Sequence, residues 1–162
     1  VLLIEADMRQ PTLDDVVSAK PLAGLSRVLS GLETFDAAKI SIDLPGEGEL
    51  DLLLGGPIPP NSSELLESKA MSSLLAQARE RYDVVIIDTP PTLVADAIAL
   101  VPKVSGVIVV SRLNHSRKQP ARNLRDLLSN LGAPALGVVV NDTQPPKAGY
   151  YAPRPTKSKA SA

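Results

Sequence analysis

The chain has 162 residues, 44% of them hydrophobic and 22% charged, and its 17 Lys and Arg stand against 18 Asp and Glu for a formal net charge of −1. That is enough apolar material for one core, and the charge balance removes the electrostatic ground for a general nucleic-acid binder. With no Cys and one His, neither a disulfide framework nor a thiolate or histidine zinc centre can be built. The continuous apolar runs fall far short of the roughly 20 residues a membrane-crossing helix needs.

Val1 opens directly inside the run Val1-Leu2-Leu3-Ile4, without the lead-in a domain normally carries, so the chain is expected to be a fragment truncated at its N-terminus. Leu25 to Leu29 reads as a short helix. The segment from Glu33 to Glu49 carries no clear period, and a loop with some strand around Ile40 to Ile42 is expected. Leu50 to Leu54 is a second apolar run. Asn61, followed three residues later by Glu64 and then by Leu65 and Leu66, has the spacing of a capping box, so the proline-rich loop Gly55 to Pro60 should end in a helix. Met71, Leu74, Leu75 and Ala78 give the stretch from Ser68 to Arg81 a helical period. The runs Val84 to Ile87, Gly106 to Val110 and Leu136 to Val140 follow, separated by a short helix over 95–101 and by a helix over 117–131 that places Leu124, Leu127, Leu128 and Leu131 on one face. Runs without polar alternation suit strands buried on both faces, hence a parallel sheet, and strands alternating with helices make the fold class α/β. The domain is expected to occupy residues 1–141. Residues 142–162 carry three Lys and one Arg against one Asp, with almost nothing large and aliphatic to bury, and read as a flexible basic tail that holds two of the three tyrosines, Tyr150 and Tyr151.

Ligands of open parallel sheets bind beyond the carboxyl ends of the strands. Two runs end in acids there: Val1 to Ile4 leads into Glu5-Ala6-Asp7-Met8-Arg9, and Val84 to Ile87 leads into Asp88-Thr89-Pro90-Pro91. If those strands are neighbours, about 4.8 Å apart, their carboxylates converge. Such a pair suits Mg²⁺, which takes one or two carboxylates and fills its other positions with water and phosphate oxygens. The plainer alternative is that each acid caps the next helix or is simply solvated.

Val1-Leu-Leu-Ile-Glu-Ala-Asp-Met-Arg-Gln-Pro11 resembles the second acidic motif, Walker A prime, of bacterial tyrosine kinases, the deviant P-loop family that controls capsule and exopolysaccharide synthesis. Tyr82-Asp-Val-Val-Ile-Ile-Asp-Thr-Pro-Pro91 resembles its Walker B motif. Gly24-Leu-Ser-Arg-Val-Leu-Ser-Gly31, the stretch from Gly55 to Ser68, and Leu136-Gly-Val-Val-Val-Asn141 resemble three further segments of the family, in the same order. The resemblance implies a three-layer α/β/α, mostly parallel sheet of the deviant P-loop type. It also implies ATP and Mg²⁺ as cofactors, and autophosphorylation of tyrosines between neighbouring copies of the chain. The implied setting is the cytoplasmic face of the membrane, beside a polysaccharide co-polymerase, with no nucleic acid involved.

Carried over by position, Asp7 would lie beside the γ-phosphate and accept the tyrosine proton, and Asp88 would hold the metal directly or through water. Glu5 would take the first acidic place of the metal site. Arg112 and Asn141 would approach the nucleotide, Asn141 being equally readable as a strand-ending cap. Tyr150 and Tyr151 would be the phosphate acceptors.

Several features depart from the family pattern. Glu5 stands where Asp is usual, Ser62 stands where another Pro is common, and the stretch between Pro91 and Asp96 is about one residue short. The tail has only two tyrosines. No G-x-x-x-x-G-K-[ST] loop occurs, so the 162 residues alone are expected to be inactive. A ParA/MinD-like positioning ATPase shares the acidic motifs but not the Gly55 to Ser68 segment with a tyrosine-bearing tail, and a non-catalytic regulatory remnant is the third possibility. His115 reads as a solvated loop residue, and Tyr82 as packed rather than phosphorylated.

Overall fold

In the computed structural model, residues 1–18, 22–44, 46, 48–91, 95–113 and 118–143 are described. Strand β1 (Leu2–Glu5) lies between β3 (Gly48–Leu53) and β4 (Val85–Asp88), parallel to both, and β2 (Ile40–Leu44) adds to the outer edge of β3 as an antiparallel strand. Strands β5 (Val107–Arg112) and β6 (Ala135–Asn141) form a separate parallel pair. No strand pairing joins β4 to β5 among the described residues. The architecture is a mainly parallel α/β sheet. All five apolar runs become strands, displaced by no more than two residues from the expected starts.

The core forms where β1 meets the helices. Leu2 and Ile4 of β1 are fully buried, and they pack with Leu25 of α2 (Leu25–Leu29), Leu66 of α4 (Ser62–Glu67) and Met71 and Leu74 of α5 (Lys69–Arg81). On α5 the buried set Met71, Leu74, Leu75 and Ala78 is the face that its period marks out, and the Ser68 hydroxyl accepts the Met71 N–H as its cap.

The expectation of strands covered on both faces holds for β1 and for the end of β3 but fails for β4 to β6. Ile86 is 51% exposed, and Ile108, Val110, Leu136 and Val138 are more exposed still. In β4 and β5 exposure alternates with partial burial, so one face is packed while the described residues place nothing over the other. A continuous apolar run reports what a strand is able to bury, not what lies over it.

Two helices are too short for any period to mark. α1 (Leu13–Val17) has five residues, and α3 (Phe35–Ala38) has four, started by the Thr34 hydroxyl accepting the Ala37 N–H at 3.3 Å. The Glu33 to Glu49 segment thus holds a helix turn and the whole edge strand β2. At α4 the helix starts as expected, but the Asn61 side chain accepts no backbone N–H; its amide donates instead to Glu64 Oε2 at 3.0 Å. An amide donor and a carboxylate acceptor one turn apart satisfy each other directly. Helix α6 (Ala95–Leu100) ends in a 3-10 turn over Val101–Lys103, and α7 spans Lys118–Asn130. No helix among the described residues is long and apolar enough to cross a membrane.

Candidate active site at the carboxyl edge

The register of β1 on β4 sets Glu5 directly opposite Asp88, and the ladder continues one step further through the Ala6 N–H donating to the Asp88 carbonyl at 2.8 Å. The two acidic motifs therefore meet at one sheet edge, with Asp7 two residues beyond. Asp88 is exposed, yet partial burial, and after it the negative charge of Glu5 and Asp7, push its carboxyl above the ordinary Asp value. Like charges held this close lower the stability of the domain unless a cation or a proton neutralises them. Among the described residues no group of three or more His, Cys, Asp and Glu forms a ready-made metal cage. The donor set that remains, Asp7 with Asp88, matches what Mg²⁺ takes from protein when water and phosphate supply the rest.

The three acids have different surroundings. Glu5 is 1% exposed, and its carboxylate is taken up by backbone: Oε1 accepts the N–H groups of Thr12 and Leu13 at 2.6 and 2.8 Å, and Oε2 accepts the Gly55 N–H at 2.8 Å. Its extra methylene carries the carboxylate inward, where it caps the start of α1 and ties the acidic loop to the segment after β3, so the expected metal-ligand role of Glu5 gives way to a structural one: both of its oxygens are taken up by backbone donors. Asp7 is half-buried, and its Oδ1 accepts the N–H groups of Arg9 and Gln10 at 3.2 and 3.0 Å. Both bonds lie within a local turn and leave the other oxygen without a protein donor in the described hydrogen bonds. Of the three acids, Glu5 is the one with both oxygens engaged by the backbone donors described.

The loop after β3 is fixed from a second side. Leu25 and Ser26, at the start of α2, donate to the carbonyls of Leu54 and Gly55 at 2.7 and 3.1 Å, and the Ser26 hydroxyl donates to the Pro57 carbonyl at 2.7 Å. This demands close backbone contact: a Cβ at Gly24 would lie 2.5 Å from the Gly56 Cα and 2.6 Å from the Leu54 carbonyl oxygen. Gly56 itself has φ +74°, where a side chain is strained.

On the other side of the acidic loop, Asp96 of α6 is wholly buried and accepts Arg9 Nε at 2.7 Å and Arg9 Nη2 at 3.0 Å. Ser62 Oγ donates to Oδ2 at 3.0 Å, and Ser63 Oγ donates to Oδ1. The Arg9 guanidinium, against the cost of burial and with the help of the two hydroxyls, draws the Asp96 carboxyl down to about 2. Sequence reasoning reached Asp96 only as a spacing marker. An ion pair spanning 87 positions leaves no local signal, beyond an acid inside an otherwise apolar helix.

Arg112 and Asn141 are brought together at the ends of β5 and β6, where they are register partners. The Leu113 N–H donates to the Asn141 carbonyl at 3.0 Å, and Arg112 Nε pairs with Asp142, which turns back with φ 57°. Both side chains are exposed. Tyr82 is packed: its ring meets Phe35 edge-on at 6.4 Å, and its hydroxyl donates to Asp51. Tyr150, Tyr151 and His115 lie outside the described residues.

No family model matches the chain. It is 37% identical over 155 residues to the tyrosine-protein kinase YwqD of Bacillus subtilis, a match that covers 93% of this chain and 64% of YwqD. The kinase domain of VpsO superposes with a TM-score of 0.81 at 33% identity, over 88% of this chain and 70% of that one. The kinase domain of the Escherichia coli tyrosine kinase ETK gives 0.79 at 30% identity, over 93% and 58%. The chain thus spans under two thirds of YwqD, and about a fifth of the length of a second curated relative, the Acinetobacter johnsonii kinase ptk. A cobyrinic acid a,c-diamide synthase of Mycobacterium smegmatis, with bound ATP analogue and magnesium, matches at 26% identity and a TM-score of 0.63. The Pyrococcus furiosus cell division ATPase MinD matches at 19% identity and 0.67, a likeness of fold alone.

Proposed function

The chain belongs to the family of bacterial tyrosine kinases, and from that premise we propose that it is the catalytic part of an ATP-dependent protein-tyrosine autokinase serving capsule or exopolysaccharide synthesis. The observation that carries this is the register of Glu5 opposite Asp88 at one sheet edge, which sets the motif holding Asp7 beside Asp88, with the Asp88 carboxyl pushed up by burial and by its acidic neighbours. Mg²⁺ and ATP, when bound, supply charge neutralisation and the phosphoryl group. Asp88 holds the metal, directly or through a water, and Asp7 orients the tyrosine hydroxyl and accepts its proton. A phenol with a pKa near 10 needs a positioned acceptor of this kind, and phosphoryl transfer otherwise depends on alignment and charge compensation. Glu5 belongs to the same acidic cluster and sets the position of the loop that carries Asp7. Arg112 and Asn141 lie toward the nucleotide. Tyr150 and Tyr151 are the acceptors, presented to the active site of a neighbouring copy.

The phosphate cradle of such chemistry, a G-x-x-x-x-G-K-[ST] loop, is not among these 162 residues, so the reaction requires one from outside them. The membrane partner is a polysaccharide co-polymerase, which places the domain at the cytoplasmic face of the membrane. The test is phosphate incorporation into tyrosine by the full-length natural protein. Labelling is expected on Tyr150 and Tyr151, with a loss of at least about 100-fold in Asp7→Asn at unchanged thermal stability. Retained labelling in Asp7→Asn, or phosphate found only on other tyrosines, would overturn the corresponding assignment.

A further inference from the structure

We propose that Asp96 is a positioning residue for Asp7, acting through Arg9, so that Asp96, Ser62 and Ser63 hold the acidic loop in its working geometry. The inference rests on the catalytic role given to Asp7 above. A carboxylate offers about four acceptor positions, and all four at Asp96 are filled by the donors described: two from Arg9 and one each from Ser62 and Ser63. Ser63 Oγ in turn accepts Arg9 Nη2 at 3.1 Å. The guanidinium is therefore held along its Nε–Nη2 edge, against α6 and against the start of α4.

What it holds is the turn that fixes Asp7. The backbone N–H of Arg9 is one of the two donors to Asp7 Oδ1, and that of Gln10 is the other. Downstream of this turn, Glu5 holds the N–H groups of Thr12 and Leu13. Two buried carboxylates thus clamp the acidic loop, Asp96 at Arg9 itself and Glu5 just downstream at Thr12 and Leu13. Without the Asp96 clamp, Arg9 is an exposed side chain on a turn whose only ties are local. Misplacing a reacting group by about 1 Å costs on the order of 100-fold in rate, so a partial loosening of the turn is expected to appear in kcat while substrate affinity is kept.

The experiment uses the full-length protein and measures three things in Asp96→Asn, Arg9→Gln and the double variant. These are kcat, KM for MgATP, and hydrogen exchange of the peptide covering residues 6–13. The expected result for Asp96→Asn is a fall in kcat of about 10-fold, with KM within about twofold and faster exchange in 6–13 but not in β3. The double variant should be no slower than the slower single variant, because both changes break one linkage. An unchanged kcat, multiplying losses in the double variant, or a kcat loss without faster exchange in 6–13 would overturn the proposal. Should Asp96→Asn fail to fold, Ser62→Ala with Ser63→Ala keeps the ion pair, and about a threefold fall in kcat is expected from the loss of two hydrogen bonds; no fall would overturn it. If the unaltered protein phosphorylates no tyrosine, the kinase reading itself fails, and the exchange measurement alone decides whether Asp96 holds the turn.

Discussion

The sheet has an acid near each end, and the two have opposite surroundings. Asp51 on β3, level with the first residue of β1, accepts hydrogen bonds from Lys39 Nζ at 2.9 Å and from the hydroxyls of Ser41 and Tyr82. Burial works against its charge, yet those three donors and the lysine charge bring its carboxyl down to about 2. Asp88, at the far end of β4, is pushed up by partial burial and after it by the charges of Glu5 and Asp7. One acid is surrounded by donors and ties the ends of α3 and α5 to β2 and β3. The other is partly buried and set among its own kind, which costs stability. Acids held against their preferred protonation state mark working sites more often than acids that are satisfied.

The largest expected effect separates the two ends by activity. In the full-length protein Asp51→Asn should leave tyrosine phosphorylation within about twofold, whereas Asp7→Asn removes at least about 100-fold. A comparable loss from Asp51→Asn would mean that both ends serve the chemistry.

By stability the order reverses. Asp51→Ala removes the acceptor shared by the Lys39 ammonium and the Tyr82 hydroxyl, both partly buried, leaving only the long bond between those two, and should cost about 1–3 kcal/mol in urea unfolding. A similar cost is expected of Gly24→Ala, where the added Cβ would meet backbone at Gly56 and Leu54 that has no flexible end to move aside. An unchanged unfolding midpoint in the glycine variant would contradict the close approach of α2 to the loop after β3.

The pH dependence is smaller but has a definite sign. Asp51 and Asp96 have folded values of about 2, below the ordinary unfolded Asp value near 3.9, so the stability they contribute is complete above pH 4 and is lost as pH falls from about 4 through about 2. Asp88, raised in the folded state, contributes in the opposite sense: its charge opposes folding at neutral pH, and that opposition is relieved by protonation. Acid titration of unfolding free energy should therefore be shallower between pH 4 and 2 in Asp51→Asn than in the unaltered protein. Equal slopes would remove Asp51 from the list of acids that hold the fold.

Much of the carboxyl edge was legible in the sequence because it depends on adjacency. An apolar run that ends in an acid makes a strand with the acid at its end, and two such strands side by side bring Glu5 and Asp88 into register. What was not legible depends on distance or direction. Nothing near Asp96 announces Arg9, and nothing near Asp51 announces Tyr82, although a charge inside the apolar run Leu50 to Leu54 was a signal that it needed partners. The inward turn of Glu5 follows from one methylene, which composition and spacing do not weigh. The helices α1 and α3 escaped because four or five residues carry no period. The open faces of β4 to β6 escaped because apolarity is a property of the strand and cover is a property of its neighbours.

The most direct test of the contrast is thermal unfolding of Asp88→Asn beside the unaltered protein, at pH 7 without divalent cation and again near pH 3. The expected result is a higher midpoint for Asp88→Asn at pH 7, together with loss of tyrosine phosphorylation, and a difference that shrinks toward zero at the lower pH as the native carboxyl takes up its proton. A midpoint at pH 7 that is unchanged or lower would contradict the claim that the carboxyl edge is held in electrostatic tension for a cation to relieve.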